Sequence, residues 1–251
     1  MSSVARRTIP LLVAAIALAV ASPVAVGGAA SAGPLSGRTI VIDPGHNGGN
    51  AAHPEVINRL VPAGGFRKAC DTTGTATNDG RLSEAAFTLA VARRLRAALT
   101  AAGARVVLTR DTNTGVGPCV NRRAAIGNAA HADLAISIHA DGGPPAGRGF
   151  HVIAPAPIAG RSSRIVAPSL RLARHVRARL RAAGLRTSTY IAGGGLVQRS
   201  DLAGLNLSTV PKVFVELGNM RNAADARELE SPAWRRRVVA AIAWAITADL
   251  R

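Results

Sequence analysis

The stretch Ile40-Val41-Ile42-Asp43-Pro44-Gly45-His46 most constrains what this chain can fold into. Three successive β-branched residues suit a short strand buried on both faces. Asp43-Pro44-Gly45 then ends it, because proline has no N–H for a ladder and glycine permits a tight turn. His46 follows at the strand's end, where an open α/β sheet presents residues to a ligand.

The rest of the chain repeats this unit. Strands are predicted over 38–43, 104–109, 134–139, 149–154 and 212–216. Helices are predicted over 82–102, 118–130, 163–183, 222–229 and 234–250. In the first helix Phe87, Val91, Leu95 and Ala98 keep helical spacing, and Glu84 continues that apolar line. A glutamate there has an ordinary role in complementing the helix dipole. Alternating strands and helices imply one α/β domain with a largely parallel sheet covered on both faces. The segment 47–80 reads as a long irregular loop rich in Gly, Pro, Asn and Thr, a length that in compact domains usually marks function. Gly193-Gly194-Gly195 reads as a flexible turn.

The N-terminus stands apart. Arg6 and Arg7 precede an apolar run, and Ala30-Ser31-Ala32 offers a small-residue cleavage site before Gly33. Residues 1–32 therefore read as a secretory signal peptide and 33–251 as the domain, with an uncleaved anchor as the rival reading. No later stretch is apolar enough to span a membrane. An exported chain with two cysteines, Cys70 and Cys119, is expected to join them in a disulfide, which would pin the long loop beside the site. The formal charge of +17 falls to +15 without the two leader arginines. Such a charge attracts polyanions. Outside a cell these are anionic wall polymers or lipid surfaces. With seven Phe, Trp and Tyr residues in all, the chain lacks a stacking platform for nucleic acid.

His46, His139 and Glu216 each end a separate predicted strand, and such ends share one crevice. Glu84 heads a helix that can reach it. Two histidines and a carboxylate form a catalytic zinc set, and a second carboxylate would move the proton. His53, His131, His151 and His175 read as surface or core residues. The chain has no Gly-x-Ser-x-Gly motif, no phosphate loop and no His-Glu-x-x-His helix.

These residues resemble the zinc-dependent N-acetylmuramoyl-L-alanine amidases of the amidase-3 type in four places spread over most of the mature chain. Residues 40–46 look like the first metal motif, and Glu84 with Leu89, Ala90 and Leu95 like the metal glutamate and its helix. Ser137-Ile138-His139-Ala140-Asp141, preceded by Arg122, Asn128 and Ala132-Asp133, resembles the second histidine motif. Val215-Glu216-Leu217-Gly218-Asn219-Met220-Arg221-Asn222 resembles the segment with the catalytic glutamate, and Arg199, Leu202 and Leu205 the stretch leading into it. The family has a second glycine where Asn47 stands here.

The resemblance implies a twisted, mostly parallel (mixed) sheet of about six strands with helices on both faces. It also implies one Zn2+ per chain, held by His46, Glu84 and His139, with Glu216 as the catalytic base. The implied reaction is hydrolysis of the amide between N-acetylmuramic acid and L-alanine in peptidoglycan or muropeptides. A zinc peptidase acting on stem peptides and a non-catalytic wall-binding protein are the alternatives. The protein is expected to be monomeric and secreted, periplasmic or wall-associated.

Overall fold

The structure, a computed structural model, describes residues 1, 33–158 and 163–251. The leader expected over 1–32 lies, Met1 apart, outside the described residues. The domain begins with β1 (Thr39–Pro44), a 3-10 turn (Asn50–Ala52), α1 (Pro54–Ile57), β2 (Leu60–Pro62), β3 (Arg67–Ala69), α2 (Glu84–Ala101), β4 (Arg105–Leu108) and α3 (Val120–Ala129). It continues with β5 (Leu134–Asp141), β6 (His151–Pro155), α4 (Ser163–Ala182), β7 (Leu196–Arg199), α5 (Ala203–Asn206), β8 (Lys212–Asn219), α6 (Ala223–Glu230) and α7 (Pro232–Asp249).

Six strands form one sheet in the order β4-β1-β5-β8-β6-β7, parallel throughout except for the antiparallel pair β8–β6. This is the α/β architecture the alternation implied. Two parts differ from expectation. The segment 47–80 is not structureless, since it holds α1 and the separate β2–β3 hairpin. Strands of three residues are too short to show a period in sequence, and the hairpin turns through Gly64 and Gly65 at φ of +84° and +113°. The edge strand β7, Leu-Val-Gln-Arg, was not foreseen beside the Gly193–Gly195 turn.

The two faces of the sheet differ in kind. Ile40, Ile42, Leu134, Ile136, Ile138, Val213, Val215 and Leu217 belong to the main apolar core. Strand periodicity sends alternate residues to the same side. α2, α4 and α7 close this side, with α7 packed on both of the others. α2 contributes Phe87, Val91, Leu95 and Leu99, and begins where the Ser83 hydroxyl accepts from the Ala86 N–H at 3.3 Å. α7 contributes Trp234, Val238, Ile242 and Ile246. No helix of the described residues is long and apolar enough to cross a membrane.

The opposite face has only a small apolar cluster of Val41, Ala132, Ala135 and Val210. Phe214 apart, much of what remains on it is polar, and four of these side chains converge on Asp43. Asp43 Oδ1 accepts from Thr109 Oγ1 at 2.7 Å and Arg123 Nη1 at 3.0 Å, while Oδ2 accepts from Ser137 Oγ at 2.6 Å and Lys212 Nζ at 2.9 Å. All five residues but Thr109 come from different elements of this face, and all are buried. A buried charge is tolerated only with such complete pairing.

Burial alone would raise the Asp43 pKa, but the Lys212 and Arg123 charges and the Ser137 hydrogen bond outweigh it and hold the carboxyl well below 3.8. A depressed carboxyl contributes stability that is present above its unfolded pKa and lost as pH falls through the folded one. Asp43→Ala is expected to cost about 3–5 kcal/mol in urea unfolding, because it strands two buried cations. In the same assay the gap between wild type and Asp43→Asn should be full at neutral pH and narrow as pH falls well below 3.8.

Candidate metal centre

His46 stands two residues past β1, Glu84 opens α2, and His139 lies near the end of β5. One ligand atom from each lies within 4.8 Å of the others. His46 Nε2 is 3.5 Å from Glu84 Oε2, and His139 Nδ1 is 2.8 Å from Glu84 Oε1. Two imidazoles and a carboxylate brought together from distant segments form a donor set of the kind that holds a divalent metal. Among the described residues no other histidine joins this group. His53 pairs with Glu55, and His175 with Asp249. His151 is buried on β6, where desolvation takes its pKa down to about 4.

Each donor is fixed from behind. Asp71 Oδ1 lies 2.6 Å from His46 Nδ1. Burial would raise the Asp71 pKa, but the His46 hydrogen bond and the Arg123 charge bring it down to about 2. As an ionised acceptor it requires the proton on Nδ1, which leaves Nε2 free to ligate. Burial opposes protonation of His46, but Asp71 and Glu84 outweigh it and raise its pKa. Glu84 accepts backbone N–H groups from Thr75 at 3.0 Å and Ala140 at 3.3 Å. Its pKa is lowered despite burial, through the His139 hydrogen bond and both imidazoles. His139 stacks on Phe214 with centroids 4.0 Å apart, and burial lowers its pKa.

The backbone around the donors leaves no slack. A Cβ added at Gly45 would run into the His139 ring. One added at Gly74, at φ +72°, would lie 2.7 Å from His46 Cδ2 and 2.8 Å from Glu84 Oε2. Arg110 secures the turn, donating from Nε to the Pro44 carbonyl at 2.9 Å and from Nη2 to the Ala85 carbonyl at 2.7 Å.

The donors open onto a cavity of about 370 Å³. Glu216 lines it from β8, paired in register with His139 on one side and His151 on the other. The residue is part-exposed, yet its Oε2 is buried without a partner among the described residues. Burial, with the Glu84 and Asp141 carboxylates nearby, pushes its pKa well above the usual range. A buried, unpartnered carboxylate oxygen beside three convergent donors fits a site built for a cation and a transferable proton.

The structure thus brings together all four residues singled out from sequence. Cys70 and Cys119 are joined in a disulfide. Sequence reasoning missed Asp71, whose place in an irregular segment gave no signal. It also placed the arginine of the second histidine motif at Arg122. Arg122 is exposed, and Arg123 is the buried one that touches Asp43 and Asp71. Asp71→Asn is expected to weaken metal affinity about 10- to 100-fold, with circular dichroism unchanged, when zinc is titrated against a competing chelator.

Comparison with known proteins agrees with this geometry. A family model described as N-acetylmuramoyl-L-alanine amidase, of the amidase-3 type, matches residues 40–248. An N-acetylmuramoyl-L-alanine amidase of Mycobacterium tuberculosis is 43% identical over 232 residues, covering 92% of this chain and 94% of its own length. The crystal structure of the amidase Ami1 from Mycobacterium smegmatis superposes with a TM-score of 0.81 at 44% identity, covering 86% of this chain and 98% of that one. Ami1 from Mycobacterium abscessus gives 0.81 at 46% identity, covering 86% of this chain and all of its own (100%). The chain belongs to the amidase-3 family of N-acetylmuramoyl-L-alanine amidases.

Proposed function

We propose that this peptidoglycan amidase depends on zinc, held by His46, Glu84 and His139, and that Glu216 is its catalytic base. The observation that carries this reading is the unpartnered, buried Oε2 of Glu216 beside the His-Glu-His group. When bound, zinc supplies a Lewis acid that polarises the scissile carbonyl, acidifies water and favours the ionised form of Glu216.

The chain's own residues do the rest. The cavity takes the lactyl–L-alanine amide, whose carbonyl carbon is attacked by water. Glu216 takes the proton of that water and returns it to the nitrogen of the departing L-alanine. Its environment suits the first of these steps, because burial and the flanking carboxylates raise its affinity for the proton it takes from water. Asp71 keeps the His46 ring in one tautomer throughout. The products are a peptide-free glycan carrying a new carboxylate and a stem peptide with a free L-alanine amine.

A signal peptide over 1–32 and action outside the cytoplasm complete the proposal, and the Cys70–Cys119 disulfide accords with an oxidising compartment. The net positive charge gives the monomer a general affinity for anionic wall polymers.

Glu216→Gln is expected to keep its zinc and to lose about 10²- to 10⁴-fold in kcat on purified peptidoglycan. Digestion at the wild-type rate would remove Glu216 from the mechanism. Chelation should stop the reaction and added zinc restore it. Mass spectrometry of the digest distinguishes the reaction from that of a stem-peptide peptidase, which leaves the sugar-to-alanine amide intact.

A further inference from the structure

The cavity is unusually acidic for a site that must take an anionic substrate. Asp43, Asp71, Glu84, Asp141 and Glu216 all line it, whereas a peptide that leaves with L-alanine carries at least its own terminal carboxylate. Only two lysine or arginine residues line the cavity among the described residues, Arg123 and Lys68.

Arg123 has nothing left to offer. Its Nε donates to the Pro118 carbonyl at 2.9 Å, and Nη1 to Asp43 at 3.0 Å and the Pro44 carbonyl at 2.7 Å. Its Nη2 donates to the His46 carbonyl and to Asp71, both at 3.1 Å. Those contacts engage all five guanidinium N–H groups.

Lys68 differs on every count. It lies half-buried on β3. Its ammonium makes one hydrogen bond among the described residues, to the Asp201 carbonyl at 3.3 Å. A lysine ammonium carries three donors. The residues just after Asp201 (Leu202, Ala203 and Gly204) line the same cavity. The backbone of Lys68 is fixed as well, since it pairs with Val61 across the hairpin and stands two residues before the disulfide at Cys70.

We infer that Lys68 is a carboxylate-binding subsite that seats an acidic group of the stem peptide while the amide lies at the metal centre. This inference rests on the amidase reaction proposed above and names the substrate feature that the cavity selects. Asp43 and Asp71 are already paired with Arg123 and Lys212, which leaves Asp141 and Glu216 to repel such a group, so the one cation of the lining with donors to spare sets the direction in which the peptide runs. A lysine provides a mobile point charge rather than a rigid fork, and tolerates carboxylates at slightly different positions along the peptide.

Two probes test it: N-acetylmuramoyl-L-alanyl-D-glutamic acid, and its diamide, in which both glutamyl carboxyls are carboxamides. Wild type is expected to favour the acid in kcat/KM by about ten-fold, the strength of one charge-assisted hydrogen bond. Lys68→Met should raise KM for the acid by about the same factor, with kcat within about two-fold and the diamide unaffected; Lys68→Arg should retain most of the preference. Equal effects of Lys68→Met on both probes, or none on either, would overturn the subsite. Calorimetric binding of both probes to zinc-loaded Glu216→Gln, with and without Lys68→Met, asks the same question without turnover. Failure of the amidase proposal, with neither probe cleaved, is thereby separated from failure of the subsite, with both probes bound alike.

Discussion

The Arg123 guanidinium sits buried with Asp43 on one side and Asp71 on the other, and it also caps the carbonyls of Pro44, His46 and Pro118. Asp43 belongs to the interior strand β1, and Asp71 follows the hairpin and orients His46. This cation therefore lies between two carboxylates that would otherwise repel each other, and it holds both ends of the turn bearing His46. Removing either partner would leave an uncompensated charge in low dielectric, a far larger loss than any exposed ion pair represents. Burial alone would lower the Arg123 pKa, but the two aspartates outweigh it and raise it, so the guanidinium stays charged.

This arrangement explains why the sheet has two unlike faces. One side is closed by α2, α4 and α7 over an apolar core and supplies the driving force for folding. The other gives up apolar burial to house Asp43, Ser137, His139, Lys212 and Glu216. Parallel register then aligns His139 directly with Glu216, so a chemical pair is set by the same ladder that builds the sheet.

Much of this was legible in sequence, and the rest was hidden for definite reasons. Strands of continuous apolar character and long periodic helices announce themselves, and so do chemical residues placed where those strands stop. Glu84 stood out as a carboxylate continuing an apolar helical stripe, but by itself that position reads as a complement to the helix dipole, and only the family resemblance placed it with the histidines. Lys212 gave a similar signal at the start of a buried strand, but its partner Asp43 lies 169 positions away, and sequence holds no trace of that separation. Asp71 and Lys68 were hidden in the segment 47–80, where short elements carry no periodicity and neither residue stands in a motif. Arg122 and Arg123 were indistinguishable as neighbours, because only the helix's rotation decides which one faces the sheet.

The Cys70–Cys119 bond joins two segments at the positions next to this charge network. Asp71 follows Cys70, Arg123 lies one helical turn beyond Cys119, and their side chains meet at 3.1 Å. The crosslink spans 49 residues, and closing such a loop in the unfolded chain contributes about 4 kcal/mol on an entropic account. Its more specific effect is on the order of assembly. In the oxidised chain the carboxylate that orients His46 is tethered beside its arginine before the rest of this face packs. The reduced chain must find that pairing across 49 residues. A covalent bond that offers no side chain to the site thus decides in advance which two segments of the polypeptide are neighbours there.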